Sequence, residues 1–126
     1  MAEMTVDLVA VERKIWSGQA SFVLARTTVG EMGILPGHQP VLAQLEDSGV
    51  VRVDGTDGSS TTLAVHGGFL SVTPDSVTVL AEFAEMADEI DVQRATAARD
   101  RADTSDAEGA AAATRANVRL RAAGAV

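Results

Sequence analysis

Gly30-Glu31-Met32-Gly33-Ile34-Leu35-Pro36-Gly37-His38-Gln39-Pro40 places Met32, Ile34 and Leu35 in a stretch dense in glycine and proline, with a single acid, Glu31. Connecting segments normally face water and are polar. Pro36 pre-sets φ and Gly37 accepts a positive φ, which favours a type II turn. Two readings follow. A rigid loop that displays apolar groups is a docking surface; the alternative is that the same groups tuck under their own sheet.

Outward from this segment, residues 3–85 read as strands. Met4–Val11 alternates with period 2, setting Val6, Leu8 and Ala10 on one face. Ser21–Thr27, Pro40–Leu45, Gly49–Val53, Thr61–Val65, Phe69–Thr73 and Ser76–Leu80 continue the series. Asp54-Gly55-Thr56-Asp57-Gly58-Ser59 is a hairpin turn, because Gly supplies positive φ and Asp bonds locally. Gly67-Gly68 reads as a tight strand connection or a place where another chain comes close. Many short strands at this spacing predict an antiparallel sandwich or barrel.

The character changes near Ala81. From there to Val126 there is no proline, alanine dominates and β-branched residues are rare. Ala87–Ala102 reads as one helix, with Asp88, Glu89 and Asp91 in its first turns. Asp103-Thr104-Ser105-Asp106 is a turn rich in N-cap residues, and Ala107–Ala122 is a second helix. The expected fold is therefore mostly β plus α: an N-terminal antiparallel β-sandwich over residues 1–86, then a C-terminal antiparallel α-helical hairpin over 87–126. The apolar faces of the hairpin are nearly all Ala, with Ile90, Val92, Val118 and Leu120 as exceptions. A buried methyl contributes about 0.8 kcal/mol, against roughly 1.5–3 for Leu or Val. Ordering each residue costs about 1–2 kcal/mol. The hairpin is thus expected to dock weakly and to separate from the sandwich, or else to be a loose tail.

Composition removes several classes of function. Hydrophobic residues make up 46% of the chain and aromatics 3%, so the core must be aliphatic. Eighteen acids against ten bases give a net charge of −8, which argues against a nucleic-acid partner. With no cysteine, disulfides, thiolate catalysis and Cys-ligated metals are excluded. Asp7, Glu12 and the late pair Arg13-Lys14 do not suit a signal peptide. No run approaches the roughly 18 apolar residues of a membrane span, so no direct membrane insertion is expected. His38, His66 and Glu31 make a poor metal set, and neither a nucleophile elbow nor a P-loop appears, so neither catalytic residues nor a metal site are assigned. Charge is segregated in the tail. Residues 81–108 hold nine acids and three arginines, and 109–126 hold three arginines and no acidic side chain.

Gly30–Pro40, followed by His66-Gly67-Gly68-Phe69-Leu70-Ser71-Val72, resembles the signature of the epsilon subunit of bacterial F-type ATP synthases, and the order of a β-rich part before an Ala/Arg-rich tail fits. The resemblance covers essentially the whole chain. It implies a non-catalytic central-stalk rotor subunit whose sandwich joins the gamma subunit to the c-ring, with Glu31, Met32, Ile34, Leu35, His38, Gly67, Gly68 and Phe69 at that interface. It further implies a hairpin that switches between a state folded on the sandwich and an extended state reaching the alpha and beta subunits, where it inhibits ATP hydrolysis. A peripheral place on the cytoplasmic face of the bacterial plasma membrane follows from the same resemblance.

Ile90-Asp91-Val92-Gln93-Arg94-Ala95 resembles the I/L-D-x-x-R-A pattern of epsilon subunits that bind regulatory ATP. Carried over residue by residue, Ile90, Asp91, Arg94 and Ala95 hold the pattern. Glu85 falls where an adenine-contacting acid stands, and Arg99 corresponds to a further basic contact. Arg115 and Arg119 resemble the two phosphate-facing arginines of the second helix. Arginines one turn apart share a helix face and can clamp polyphosphate. The plain alternative is an ordinary intrahelical Asp91–Arg94 pair. A stand-alone β-sandwich ligand-binding protein with a helical dimerisation tail is the rival from another class, and a metal-dependent barrel enzyme is the third reading.

Overall fold

The structure, a computed structural model, describes residues 3–125. Seven strands come first: β1 (Met4–Ala10), β2 (Arg13–Thr27), β3 (Gly30–Ile34), β4 (Val41–Gln44), β5 (Gly49–Gly55), β6 (Ser60–Thr73) and β7 (Ser76–Met86). A 3₁₀ turn at Ala87–Glu89 leads to α1 (Val92–Arg101) and α2 (Ala107–Ala122). The strands pair in the order β1-β7-β6-β5-β2-β3, β4 adds to β6, and a β1–β2 pairing closes the circuit.

The long strands β2, β6 and β7 run through both layers of the resulting sandwich. The first half of β2 pairs with β1 and its second half with β3 and β5, with an irregularity between Ala20 and Phe22. Likewise β6 pairs with β5 through Ser60–Val65 and with β4 through Phe69–Val72. Between the layers lies one aliphatic cluster that includes Val6, Leu8, Val23, Ile34, Val53, Leu63, Leu70 and Val77. Burial alternates along β1 as its period-2 pattern requires.

Several elements differ from the sequence expectation. The β1–β7 pair is parallel, whereas every other ladder is antiparallel. Gly30–Ile34 is a strand, not a loop: it pairs with β2, with Ile34 opposite Val23. The Pro36-Gly37 turn does form, with Gly37 at φ +87° and His38 N–H donating to Leu35 O at 3.2 Å. Gly67-Gly68 does not divide β6. The strand runs on through it because Gly68, at φ +126°, lies so close to β7 that a Cβ there would stand 2.0 Å from the Leu80 carbonyl oxygen. The expected close approach is thus to a strand of the same chain. β7 continues past Ala81 to Met86, since pairing with Leu63–His66 overrides the helical leaning of its Ala and Glu residues.

α1 begins later than expected. The Asp91 carboxylate accepts from Arg94 N–H at 3.0 Å and caps the helix. Ala87–Glu89 is a separate turn, held by Glu89 accepting from Met86 N–H at 3.0 Å and pairing with Arg13 at 2.9 Å. Asp106 caps α2 by accepting from Gly109 N–H at 2.7 Å. A Cβ on Gly109 would overlap the Asp103 carbonyl, so the glycine that costs helix propensity also permits the tight link between helices.

α1 packs on α2, and α2 lies across β5 and β6. A second, separate cluster joins hairpin to sandwich: Ala64 with Ile90, Val118 and Ala122, flanked by Val50 and Ala123. The cluster is small, and two of its four members are alanines.

Candidate functional site: a cleft under the hairpin and an apolar ridge on the opposite layer

A cavity of about 420 Å³ opens where the end of β7 meets the two helices. Phe83, Glu85, Glu89, Asp91, Arg94, Ala95, Ala98, Arg101 and Arg119 line it. Five residues chosen on the helical motif therefore meet here: Glu85, Asp91, Arg94, Ala95 and Arg119. Ile90 is buried just outside, in the small cluster beneath α2. Arg99 and Arg115 do not line the cavity. Arg99 pairs with Asp100 at 3.3 Å, and the cation that α1 adds in its place is Arg101. Arg101 and Phe83 lie outside the motif, and only the fold brings them in.

Electrostatically the cleft is two-sided. Among the described residues no carboxylate pairs with Arg94 or Arg101, so both are available to an anion. Asp91 is spent on the Arg94 backbone N–H rather than on its guanidinium. Opposite them, Arg119 Nε donates to Glu85 Oε1 at 2.6 Å. The same oxygen lies 3.3 Å from Nε2 of His66, whose Nδ1 is 2.9 Å from Ser48 Oγ. The His66 ring stacks on Phe83, with centroids 5.7 Å apart. His66 is 8% exposed. Burial first, and then the Arg119 cation, hold its pKa below the usual histidine value, while Glu85 pulls the other way. Cations and carboxylates lining one cleft suit a ligand with both anionic and hydrogen-bonding parts. No three His, Asp or Glu residues converge as metal ligands among the described residues.

The second feature lies on the layer that the hairpin leaves uncovered. Phe69 and Leu80 are direct cross-strand neighbours, 52% and 51% exposed. Val9 stands opposite Leu80 on β1, and Val11 follows it, 82% exposed. Leu42, 76% exposed, faces Ser71 one step along. These side chains form an apolar ridge across β4, β6, β7 and β1 beside a shallow cavity of about 320 Å³. Large contiguous exposed apolar surface is characteristic of an interface.

Of the residues assigned to an interface from sequence, Phe69 belongs to this ridge. Ile34 does not serve that role through its side chain: it is fully buried in the main cluster, because pairing of β3 with β2 turns it inward. Met32 is half-buried against the same cluster, whereas Glu31 and Leu35 are exposed. His38 is half-buried, its Nδ1 2.7 Å from Gln39 O. Gly67 is buried and Gly68 serves the approach to β7. Val29, at the β2–β3 turn and 88% exposed, is a further exposed apolar group that sequence reading missed.

Residues 3–87 match the family described as ATP synthase, Delta/Epsilon chain, beta-sandwich domain. Over all of its length the chain is 53% identical to the ATP synthase epsilon chain of Mycobacterium avium (strain 104), covering 99% of that protein. It is 60% identical over 97 residues to the one from Rhodococcus jostii (strain RHA1), which is 77% of this chain and 80% of the relative. Among solved structures, a chain of the Euglena gracilis mitochondrial ATP synthase OSCP/F1/c-ring assembly superposes with TM-score 0.66 at 22% identity. That match covers 99% of this chain and 79% of the other. A chain of the Tetrahymena thermophila mitochondrial ATP synthase central stalk/c-ring gives TM-score 0.62 at 16% identity, covering 95% and 96%.

Proposed function

This chain belongs to the family of ATP synthase epsilon chains, and we propose that its sandwich docks on the gamma subunit through the Val9–Val11–Phe69–Leu80 ridge and on the c-ring through the exposed Leu35 and the turn that follows it. In this reading the chain turns with the central stalk as a rotor subunit and performs no chemistry of its own. Its hairpin alternates between the docked form and an extended form that reaches the alpha and beta subunits and slows ATP hydrolysis. The place of work is the periphery of the cytoplasmic face of a bacterial plasma membrane; no helix among the described residues is long and apolar enough to cross one.

The observation that carries the docking reading is the ridge itself: Phe69 and Leu80 side by side, half exposed, on the layer opposite the hairpin. Truncating a central aromatic or aliphatic anchor of an interface costs about 2–4 kcal/mol. Phe69→Asp combined with Leu80→Asp is expected to weaken co-purification with gamma by roughly 100-fold or more. Both positions face solvent, so the isolated chain should keep its β-type circular dichroism. Unchanged capture by gamma would remove the ridge from the docking surface.

The cleft is the proposed seat of a regulatory ATP, the remaining assignment for Glu85, Ile90, Asp91, Arg94, Ala95, Arg99, Arg115 and Arg119. Its support is the convergence of Arg94, Arg101, Arg119 and Glu85 on one cavity. In this arrangement Arg99 and Arg115 act at a distance and Arg101 takes a contact. Charge-assisted hydrogen bonds contribute roughly 1.5–3 kcal/mol each, so Arg94→Ala should weaken ATP binding about tenfold or more by calorimetry. No binding by the unaltered chain at millimolar ATP would end the nucleotide assignment and leave the rotor role standing.

A further inference from the structure

We propose that hairpin docking is under pH control through His66: the docked form accepts only the neutral imidazole, and protonating it releases α2 from the sandwich. This rests on the reading above that the hairpin can leave the sandwich; the control itself comes from the geometry of one oxygen atom. Glu85 Oε1 receives Arg119 from α2 at 2.6 Å and stands 3.3 Å from His66 Nε2 on β6. The neutral ring fits. Its Nε2–H points to Glu85, and its Nδ1 accepts from the hydroxyl of Ser48 in the β4–β5 connection. A second proton on Nδ1 forces the Ser48 hydroxyl to turn round.

That proton also sets two cations against one carboxylate oxygen. The charged groups that face the ring are Glu85 on β7 and Arg115 and Arg119 on α2, with Phe83 of β7 stacked on its plane. The imidazolium would meet two positive neighbours and one negative while cut off from water. Release of α2 removes both arginines and rehydrates the ring, but leaves Glu85 beside it on β7. Glu85 then becomes a partner for the imidazolium alone.

The sign follows from which state binds the proton more readily. His66 in the docked form has a pKa held down by burial and by Arg119. In the released form it returns to about 6.5 or above. Between these values the released form holds more protons, so docking is complete at higher pH and weakens as pH falls below about 6.5. The docked-to-released ratio can change as much as tenfold per pH unit inside that window. Carboxylates with ordinary values, near 4, titrate below it.

The test is nitrogen-15 NMR of the full chain from pH 8 to pH 5, following the imidazoles and the amides of Val118 and Leu120. His66 should titrate below the ordinary histidine value of about 6.5, and the α2 amides should move to a released form as pH drops. His66→Gln should flatten the α2 response. Arg119→Gln should raise the His66 pKa, a readout that survives if the first variant folds poorly. A His66 pKa at or above the ordinary value of about 6.5, or the same α2 midpoint in His66→Gln, would overturn the proposal. Ala64→Lys, aimed at the docking cluster away from the ring, separates the two layers of inference. If α2 is released there but indifferent to pH in the unaltered chain, pH control fails alone. If α2 stays docked in Ala64→Lys, the detachable hairpin fails with it.

Discussion

Ile34→Asp is expected to unfold the sandwich, not merely to weaken its attachment to a partner. Ile34 is 0% exposed and sits opposite Val23, also 0%, in the main aliphatic cluster. Losing its burial costs about 1.5–3 kcal/mol. An unpaired carboxylate in the same place adds several kcal/mol more, or keeps its proton and leaves an unsatisfied polar group. Domains of this size have roughly 5–15 kcal/mol of stability in all. Circular dichroism should show loss of the β signal, or a melting midpoint lower by tens of degrees, at about 4–8 °C per kcal/mol. A folded, stable Ile34→Asp chain that has lost only its partner would put Ile34 on the docking surface after all.

Ala64→Lys is expected to do the reverse: detach the hairpin and leave the sandwich folded. Ala64 belongs to the small second cluster, outside the main core, and is fully buried against Val118 and Ala122 of α2. The hairpin is held there by Ile90, Val118 and Ala122, whose burial amounts to a few side chains' worth. Forcing a long side chain into that contact costs about 1–3 kcal/mol. The new cation also stands across from Glu85, the cross-strand neighbour of Ala64, and competes with Arg119 for it. Together these should lower the docked-to-released ratio at least tenfold. Faster hydrogen exchange confined to α1 and α2, with β5 and β6 protected as before, is the expected result. Loss of protection throughout would show that sandwich and hairpin fold as one.

The contrast between these two sites also shows what the sequence could and could not reveal. Alternation in Met4–Val11 and the change to alanine near residue 81 were enough for a sandwich followed by a hairpin, because both are local patterns. Gly30–Ile34 reads as a loop since Gly and Pro dominate its surroundings; pairing with the end of β2 across the two-residue Thr28-Val29 turn makes it a strand and turns Ile34 inward. Gly67-Gly68 reads as a tight strand connection or a close approach of another chain, yet β6 crosses it at positive φ because the missing Cβ lets β7 of the same chain come close. Nothing local signals that β1 and β7 run parallel. In the cleft, the helical motif carried Glu85, Asp91, Arg94, Ala95 and Arg119. Arg101, Phe83 and the partnership of His66 with Glu85 depend on how α1, α2 and β7 meet. On the ridge, Phe69 was legible, but Val9, Val11, Leu42 and Leu80 become a surface only when four strands lie side by side.

The proposed role, a non-catalytic stalk subunit with a detachable, inhibitory hairpin, makes opposite demands on two alterations of the same tail. The decisive measurement is the rate of ATP hydrolysis by the synthase reassembled with the unaltered chain, with Ala64→Lys, or with a chain lacking residues 88–126. Removing the hairpin should raise the rate, because the inhibitory element is gone. Freeing it by Ala64→Lys should lower the rate, because the extended form is favoured, and all three chains should assemble with gamma in equal amount. Equal rates in the three assemblies, or a shift in the same direction for both alterations, would contradict the account.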